Sequence, residues 1–376
     1  MKKILFPLIS LLVGCGSPTT EHRGAQTTEI THARGFTLET FDGYTVARVR
    51  DPWDTTRTLH TYVLVPKKAP LPESLPDGDL IRTPVEKAAV ASGVHCTLLE
   101  AVGCGDAVRA VCQPEYISHR FVKEGIEAGT VADIGAPSQI DVERLIGSGA
   151  ELIVMSPFEG VSYGAVEKSG IPIVECASYM ETEPLGQTEW LKFHAAFYGR
   201  LPEADSLFRC IEARYNAVRD TASAASSHPV LLAERRVGQV WYVPGGGSYA
   251  ANLYRDAGTV WPWSDNDSAG SLSLGFEQVV DRAADADVWL IRYHDPSSTL
   301  TYDDLRDEYP LYELFKPFGK RKIFTCNTAV TPYYETAIVN PDKVLSDIVR
   351  IAHPELLTDT RLYYYSPMPE DNASRH

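Results

Sequence analysis

The chain has 376 residues, 44% of them hydrophobic, and a formal net charge of −15. A surface this acidic is a poor match for the phosphates of nucleic acid, which demand a basic face. About 360 residues with this apolar content can bury a sizeable core, and that length favours two lobes over one.

At the N-terminus, Lys2 and Lys3 precede a short, mostly apolar run from Ile4 to Val13. The run is too short to span a membrane, which needs roughly 20 residues, but it suits a secretory signal. It ends in Leu12-Val13-Gly14-Cys15. Small residues before a cysteine resemble the lipobox of bacterial lipoproteins. That resemblance implies a signal peptide over 1–14, lipid on Cys15, and an extracytoplasmic protein anchored to a membrane. Loss of Lys2 and Lys3 with the signal would take the charge from −15 to −17. Residues 15–35 are polar and read as a flexible tether.

Six further cysteines follow: Cys96, Cys104, Cys112, Cys176, Cys210 and Cys326. An even number permits disulfides in an oxidising compartment, and buried free thiols fit equally well. No Cys-x-x-Cys spacing is present, which argues against zinc or thioredoxin-like chemistry.

From Phe36 to Val65 apolar and polar residues alternate around Asp42-Gly43, predicting two or three antiparallel strands with a tight hairpin. The proline-rich stretch from Lys67 to Pro84 reads as a loop. Short apolar strands then alternate with helices: strands at Val85–Ala91, Val108–Cys112, Glu151–Met155 and Pro172–Glu175, helices at Thr97–Val102, Ile140–Gly147 and Tyr163–Ser169. Such alternation predicts a parallel sheet with helices on its faces. Gln187 to Ala222 carries apolar residues at helical spacing, with Gly199 and Pro202 placed to kink or split it. A second run follows, with strands at Val237–Val243, Val288–Tyr293 and Lys322–Cys326 and helices near Ser248–Ala257, Phe276–Ala283 and Pro341–Ala352. The expected plan is an α/β chain with two Rossmann-like lobes, 36–186 and 224–360, joined by a long interdomain helix over 187–223. An N-terminal β-hairpin extension precedes the first lobe, and 361–376 forms a tail.

Two segments carry a resemblance to a known family. One is Gly135 followed by Ile140-Asp141-Val142-Glu143-Arg144-Leu145 and Glu151-Leu152-Ile153-Val154. The other is Leu274-Gly275-Phe276-Glu277-Gln278-Val279 followed by Ala286-Asp287-Val288-Trp289-Leu290. Between about Val85 and Leu357 the chain resembles the substrate-binding lipoproteins of ATP-driven (ABC) importers for iron–siderophores, haem and vitamin B12. The resemblance implies a monomer that captures a metal chelate between its lobes and hands it to a membrane permease. It also implies permease docking through one glutamate per lobe, here Glu143 and Glu277. A carboxylate early in a helix is favoured by the helix dipole, and charge pairs steer and orient an encounter.

Ligands in such folds lie on loops at the carboxyl ends of strands. The candidates there are His95, Phe158, Glu159 and Tyr179 in the first lobe, and Trp241, Ser248, Tyr249, Trp263, Arg292 and Tyr293 in the second. Flat aromatic faces suit a broad conjugated or catecholate cargo, and Arg292 suits its carboxylate or oxyanion. His95 and Tyr249 are the axial-ligand candidates for haem. Gly245-Gly246-Gly247 reads as a cleft loop that lets a ligand approach the backbone. The cargo expected is a ferric siderophore, with haem or a corrinoid as alternatives; no resident cofactor or metal is expected. An extracytoplasmic enzyme on a chelatase-like two-lobed fold, or a haem-binding scaffold lipoprotein, is the competing reading. No Gly-x-Ser-x-Gly elbow and no His-Glu-x-x-His pair supports catalysis.

Overall fold

The turn at Asp42-Gly43 sets the first element of the fold. In the computed structural model, which describes residues 26–357 and 361–370, Gly43 adopts φ +86°. It closes a two-residue hairpin between β2 (Phe36–Phe41) and β3 (Tyr44–Arg50), with Phe41 opposite Tyr44. β1 (Gln26–Thr27) pairs with β2, and β4 (Thr58–Pro66) extends the sheet antiparallel to β3. A fifth strand, β5 (Asp79–Thr83), runs parallel to β4. The stretch from Lys67 to Pro84 is therefore not all loop: Pro70, Pro72 and Pro76 precede the strand and Pro84 follows it.

The first lobe is a parallel sheet in the order β12-β11-β6-β7-β8. In chain order it comprises β6 (Ala88–Val90), α1 (Gly93–Ala101), β7 (Val108–Val111), α2 (Arg120–Glu127) and β8 (Ala132–Asp133). A small hairpin of β9 (Gly135–Ala136) and β10 (Gln139–Ile140), α3 (Val142–Gly147), β11 (Leu152–Met155) and β12 (Ile173–Glu175) complete it. Every residue of β6 and β11 is buried, as expected of parallel strands covered on both faces. The segment expected as a helix over Tyr163–Ser169 forms only a 3-10 turn at Val166–Lys168.

The connector is two helices, α4 (Pro184–Phe197) and α5 (Leu201–Ser223). Gly199, at φ +65°, breaks the helical path between them. The second lobe follows with β13 (Leu231–Ala233), β14 (Arg236–Val237), β15 (Val240–Pro244), α6 (Tyr249–Asp256), β16 (Ser271–Leu274) and α7 (Phe276–Ala283). β17 (Val288–Tyr293), α8 (Tyr302–Glu308), α9 (Lys316–Gly319), β18 (Ile323–Asn327), α10 (Tyr333–Thr336) and α11 (Pro341–Ala352) come next. Its main sheet has the order β13-β17-β18-β19, where β19 (Ser366–Pro367) pairs antiparallel with β18. Part of the expected tail is thus an edge strand of this lobe. A separate antiparallel sheet, β14-β15-β16, stands beside it. The chain is α/β with two Rossmann-like lobes on a helical backbone, and the hairpin extension has grown into a five-stranded sheet.

Twelve of the fourteen residues of α4 are buried, including charged Glu189 and Lys192. On one side α4 packs against α1; on the other it packs against α6, α11 and the turn at Ala337–Val339. Thr188 donates to the carbonyl of Ile338 at 2.6 Å. Glu189 accepts from the backbone N–H groups of Thr31, His32 and Ala33 at 2.8–3.1 Å, and from Lys192 at 2.9 Å. Glu181 likewise accepts from Arg34 and Gly35, at 2.9 and 2.8 Å. Residues 26–35 are therefore a strap seated on the connector, where a loose tether was expected. The signal peptide, Cys15 and the rest of that tether lie outside the described residues.

Burial alone would raise the Glu189 carboxyl, but the donors from Ala33, Thr31, Lys192 and His32 hold it below the usual range. Glu189→Ala leaves the Lys192 ammonium buried and three N–H groups uncapped. It should cost about 3–5 kcal/mol in urea unfolding, with protease sensitivity appearing first around residues 26–35.

Candidate functional site

The carboxyl ends of the parallel strands in both lobes open onto cavities. In the first lobe a cavity of about 770 Å³ lies beyond β6, β7 and β11, lined by Ser92, Gln113, Met155 and the loop through Phe158 and Tyr163. In the second lobe one of about 720 Å³ lies beyond β13 and β17, where Glu234, Arg236, Tyr242, Arg292 and Tyr309 face it. Between the lobes a third, about 470 Å³, sets Tyr116, Ser118 and Lys123 against the segment from Thr328 to Glu335. His294 and Tyr334 line both the second and third cavities and so mark where they meet. Thr328 Oγ1 lies 3.3 Å from His294 Nδ1, and Tyr334 is 62% exposed. The sequence places both in segments at the carboxyl ends of strands; His294 follows β17 directly, and Tyr334 lies in the first turn of α10.

One carboxylate crosses the cleft. Glu335, on α10 of the second lobe, accepts from the backbone N–H of Ser118 in the first lobe at 2.9 and 3.1 Å, and from its hydroxyl. It also presses against Gly93, where an added Cβ would lie 2.4 Å from Glu335 Oε1. The lobes thus meet at the cleft as well as at the connector.

Several expected cargo contacts do face these cavities. Phe158 is 59% exposed in the wall of the first, with the Tyr179 ring 5.7 Å away. Glu159 is exposed on the same loop but does not line the cavity. Arg292 and Tyr293 line the second-lobe cavity. The Arg292 guanidinium is already engaged, however. Its Nε donates to Glu234 at 2.8 Å, and it lies over the Tyr333 ring at 5.4 Å. The Tyr293 hydroxyl accepts from the N–H of Leu300 at 3.0 Å.

The others belong to the core. Trp241 is fully buried; it stacks on Trp289 at 5.7 Å and donates its indole N–H to Ala233 at 3.0 Å. Alternation along β15 turns Trp241 inward and its neighbour Tyr242, 45% exposed, toward the cavity. Trp263 is buried against Trp261 at 5.0 Å. Ser248 is the N-cap of α6 and accepts from the N–H of Ala251 at 3.2 Å, while half-buried Tyr249 packs on the core. The three glycines Gly245–Gly247 serve a close approach within the protein: an added Cβ would fall 2.3–2.7 Å from carbonyls of Ser268, Asn266 and Asp267. His95 lies inside α1, not on a loop, and is 1% exposed with its Nδ1 unpartnered. Its ring centroid is 5.8 Å from that of His194. Such a residue cannot reach cargo.

Glu143 and Glu277 are exposed in the first turns of α3 and α7, one in each lobe. The six cysteines are free, and burial pushes the thiols of Cys96 and Cys112 up to about 12. These two buried thiols are inert at neutral pH. Among the described residues no helix is long and apolar enough to cross a membrane, and no cluster of three or more His, Cys, Asp or Glu is placed to hold a metal ion.

Two α/β lobes on a helical backbone, with cavities at facing strand ends, define a binding protein of the cleft type. Residues 89–329 match the family model described as periplasmic binding protein. The chain belongs to that family. An uncharacterized lipoprotein of Methanocaldococcus jannaschii is 28% identical over 326 residues, 82% of this chain and 76% of its own length. A possible iron-binding (periplasmic solute-binding) protein from Staphylococcus epidermidis shares the fold at TM-score 0.57 and 14% identity, covering 72% of this chain and 100% of that one. The periplasmic heme-binding protein HutB of Vibrio cholerae does so at TM-score 0.55 and 15% identity, covering 69% and 98%.

Burial lowers the His95 pKa from 6.5 to about 4. The fold therefore favours the neutral ring. Stability from this source is complete above pH 6.5 and is lost as pH falls toward 4. At about 1.4 kcal/mol per unit, roughly 3 kcal/mol should be gone near pH 4. Urea unfolding across that range should show the loss, and His95→Gln should reduce it, the remainder coming from His194, whose pKa burial also lowers.

Proposed function

We propose that this chain is an extracytoplasmic, lipid-anchored capture protein that binds a metal chelate between its lobes and delivers it to an ABC importer. It acts as a monomer and turns nothing over. The cargo is a ferric siderophore, with haem or a corrinoid as the nearest alternatives. The observation that carries this reading is the set of three cavities at the strand ends, of which the second-lobe and interlobe cavities meet at His294 and Tyr334. Iron-binding and haem-binding proteins among the structural neighbours fit the same cargo range. His294 and Tyr334 offer a nitrogen and a phenolic oxygen toward a cargo spanning both cavities. Cys15, at the end of its lipobox-like run, supplies the anchor.

The test is a titration of the soluble domain, from about Gly24 onward, with haem, cobinamide and a panel of ferric siderophores. Tyr312 lines the second-lobe cavity and packs 5.7 Å from Trp241 and 5.5 Å from Trp289, so bound cargo should quench tryptophan fluorescence. Saturation at one equivalent with affinity tighter than about 1 μM is expected. No response to any cargo, checked by equilibrium dialysis, would overturn the reading.

Glu143 and Glu277 are assigned to permease docking, one carboxylate per lobe. Joint Glu143→Ala and Glu277→Ala should abolish cellular uptake while shifting cargo affinity by less than about two-fold. A loss of affinity in the purified double variant would place these residues in the cleft instead.

A further inference from the structure

We infer that the cleft is built for a chelate of little net charge, such as a ferric ion wrapped by three singly charged hydroxamate-type oxygen donors. The inference rests on the capture reading above and narrows its substrate class.

Eight carboxylate, guanidinium and ammonium side chains line the three cavities. Four are carboxylates: Glu234 and Glu308 in the second lobe, Glu115 and Glu335 between the lobes. Four are cations: Arg235, Arg236 and Arg292 in the second lobe, Lys123 between the lobes. The first-lobe cavity has no charged lining residue at all. The lining as a whole is therefore balanced when His294 is neutral.

Two of the three arginines that line the second-lobe cavity are held in ion pairs. Arg292 is ion-paired with Glu234, and Arg235 with Glu308. Tyr312 donates a further hydrogen bond to Glu308 at 3.1 Å. Arg236 lies 3.8 Å over the Tyr309 ring and donates to the carbonyl of Gly238 at 2.8 Å. Glu234 holds φ +62°, a conformation unfavourable for a residue with a Cβ. The chain accepts that strain at the end of β13, where the Glu234 carboxylate engages Arg292. A guanidinium committed to a carboxylate offers little to an incoming anion. The anion must either displace the carboxylate or bind beside it, where the partial burial of the site strengthens their repulsion.

A ferric tricatecholate carries three negative charges and would meet, among the described residues, only Arg236 and Lys123 outside an ion pair, together with the carboxylates of Glu115 and Glu335. It would also approach a chain whose overall charge is −15. A neutral trihydroxamate avoids both penalties. Its carbonyl and amide groups suit the hydroxyls of Tyr242, Tyr309 and Tyr334, and its methylene spacers suit the apolar wall around Phe158 and Met155.

The test compares ferrichrome, a neutral trihydroxamate, with ferric enterobactin, a trianionic tricatecholate, by ultrafiltration with radio-iron at low salt. Wild type should bind the neutral chelate at least about ten-fold tighter, and Glu308→Gln, which frees Arg235, should narrow that ratio about five-fold. Glu234→Gln, which frees Arg292, should narrow it in the same direction. Equal or tighter binding of the trianionic chelate by wild type would overturn the charge inference and leave chelate capture standing. Binding of neither chelate, together with none of haem or cobinamide, would overturn the capture reading and this inference with it.

Discussion

A buried carboxylate on a buried helix holds this molecule together. Glu189 is 0% exposed, and it meets the Lys192 ammonium one turn along α4 and three N–H groups of the N-terminal strap. Removing two charges from water is costly, and only a full set of partners makes it tolerable. With those partners in place, α4 joins three parts at once: the strap, the first lobe through α1, and the second lobe through α6 and α11. The relative position of the two lobes, and so the width of the cleft, follows from how this helix is packed.

The cleft inherits that rigidity. Cavities at the strand ends of each lobe face one another because the lobes share one pillar, and Glu335 adds a direct bond from α10 to Ser118 at the rim. Asn252 donates to the carbonyl of Thr182 at 2.8 Å, and Arg214 pairs with Asp342 at 2.7 Å, tying the second lobe to the connector region. A binding protein so tied adjusts to cargo by small shifts at the rim. It lacks the single flexible crossover that wide hinge closure needs.

Much of the fold was legible in the sequence where one local signal sufficed. Asp42-Gly43 specifies a two-residue hairpin, and the apolar spacing of Phe276–Ala283 and Pro341–Ala352 matches helices with those same ends. Legibility failed where the deciding fact was a distant partner. The strap at 31–33 reads as a polar tether until Glu189, more than 150 residues on, supplies its acceptors. The site was half legible. Arg292 and Tyr293 reach the cavity, but Trp241 and Tyr242 show how a one-residue change of parity exchanges core for cleft. Gly245–Gly247 announced a close approach without saying to what, and it is a neighbouring loop. The left-handed backbone at Glu234 has no sequence signature, because it is imposed by the site and not by local preference.

The seating of the strap also orders events in time. Bonds that link residues 31–33 to Glu189 close a loop of 156–158 residues, and closing so long a loop must be offset by structure already formed around it. The hairpin of the extension and the parallel sheet of the first lobe can assemble from shorter-range contacts. The segment made first is consequently among the last to find its place. Until the middle of the chain has emerged and α4 has folded, the N-terminal strap has nothing to hold.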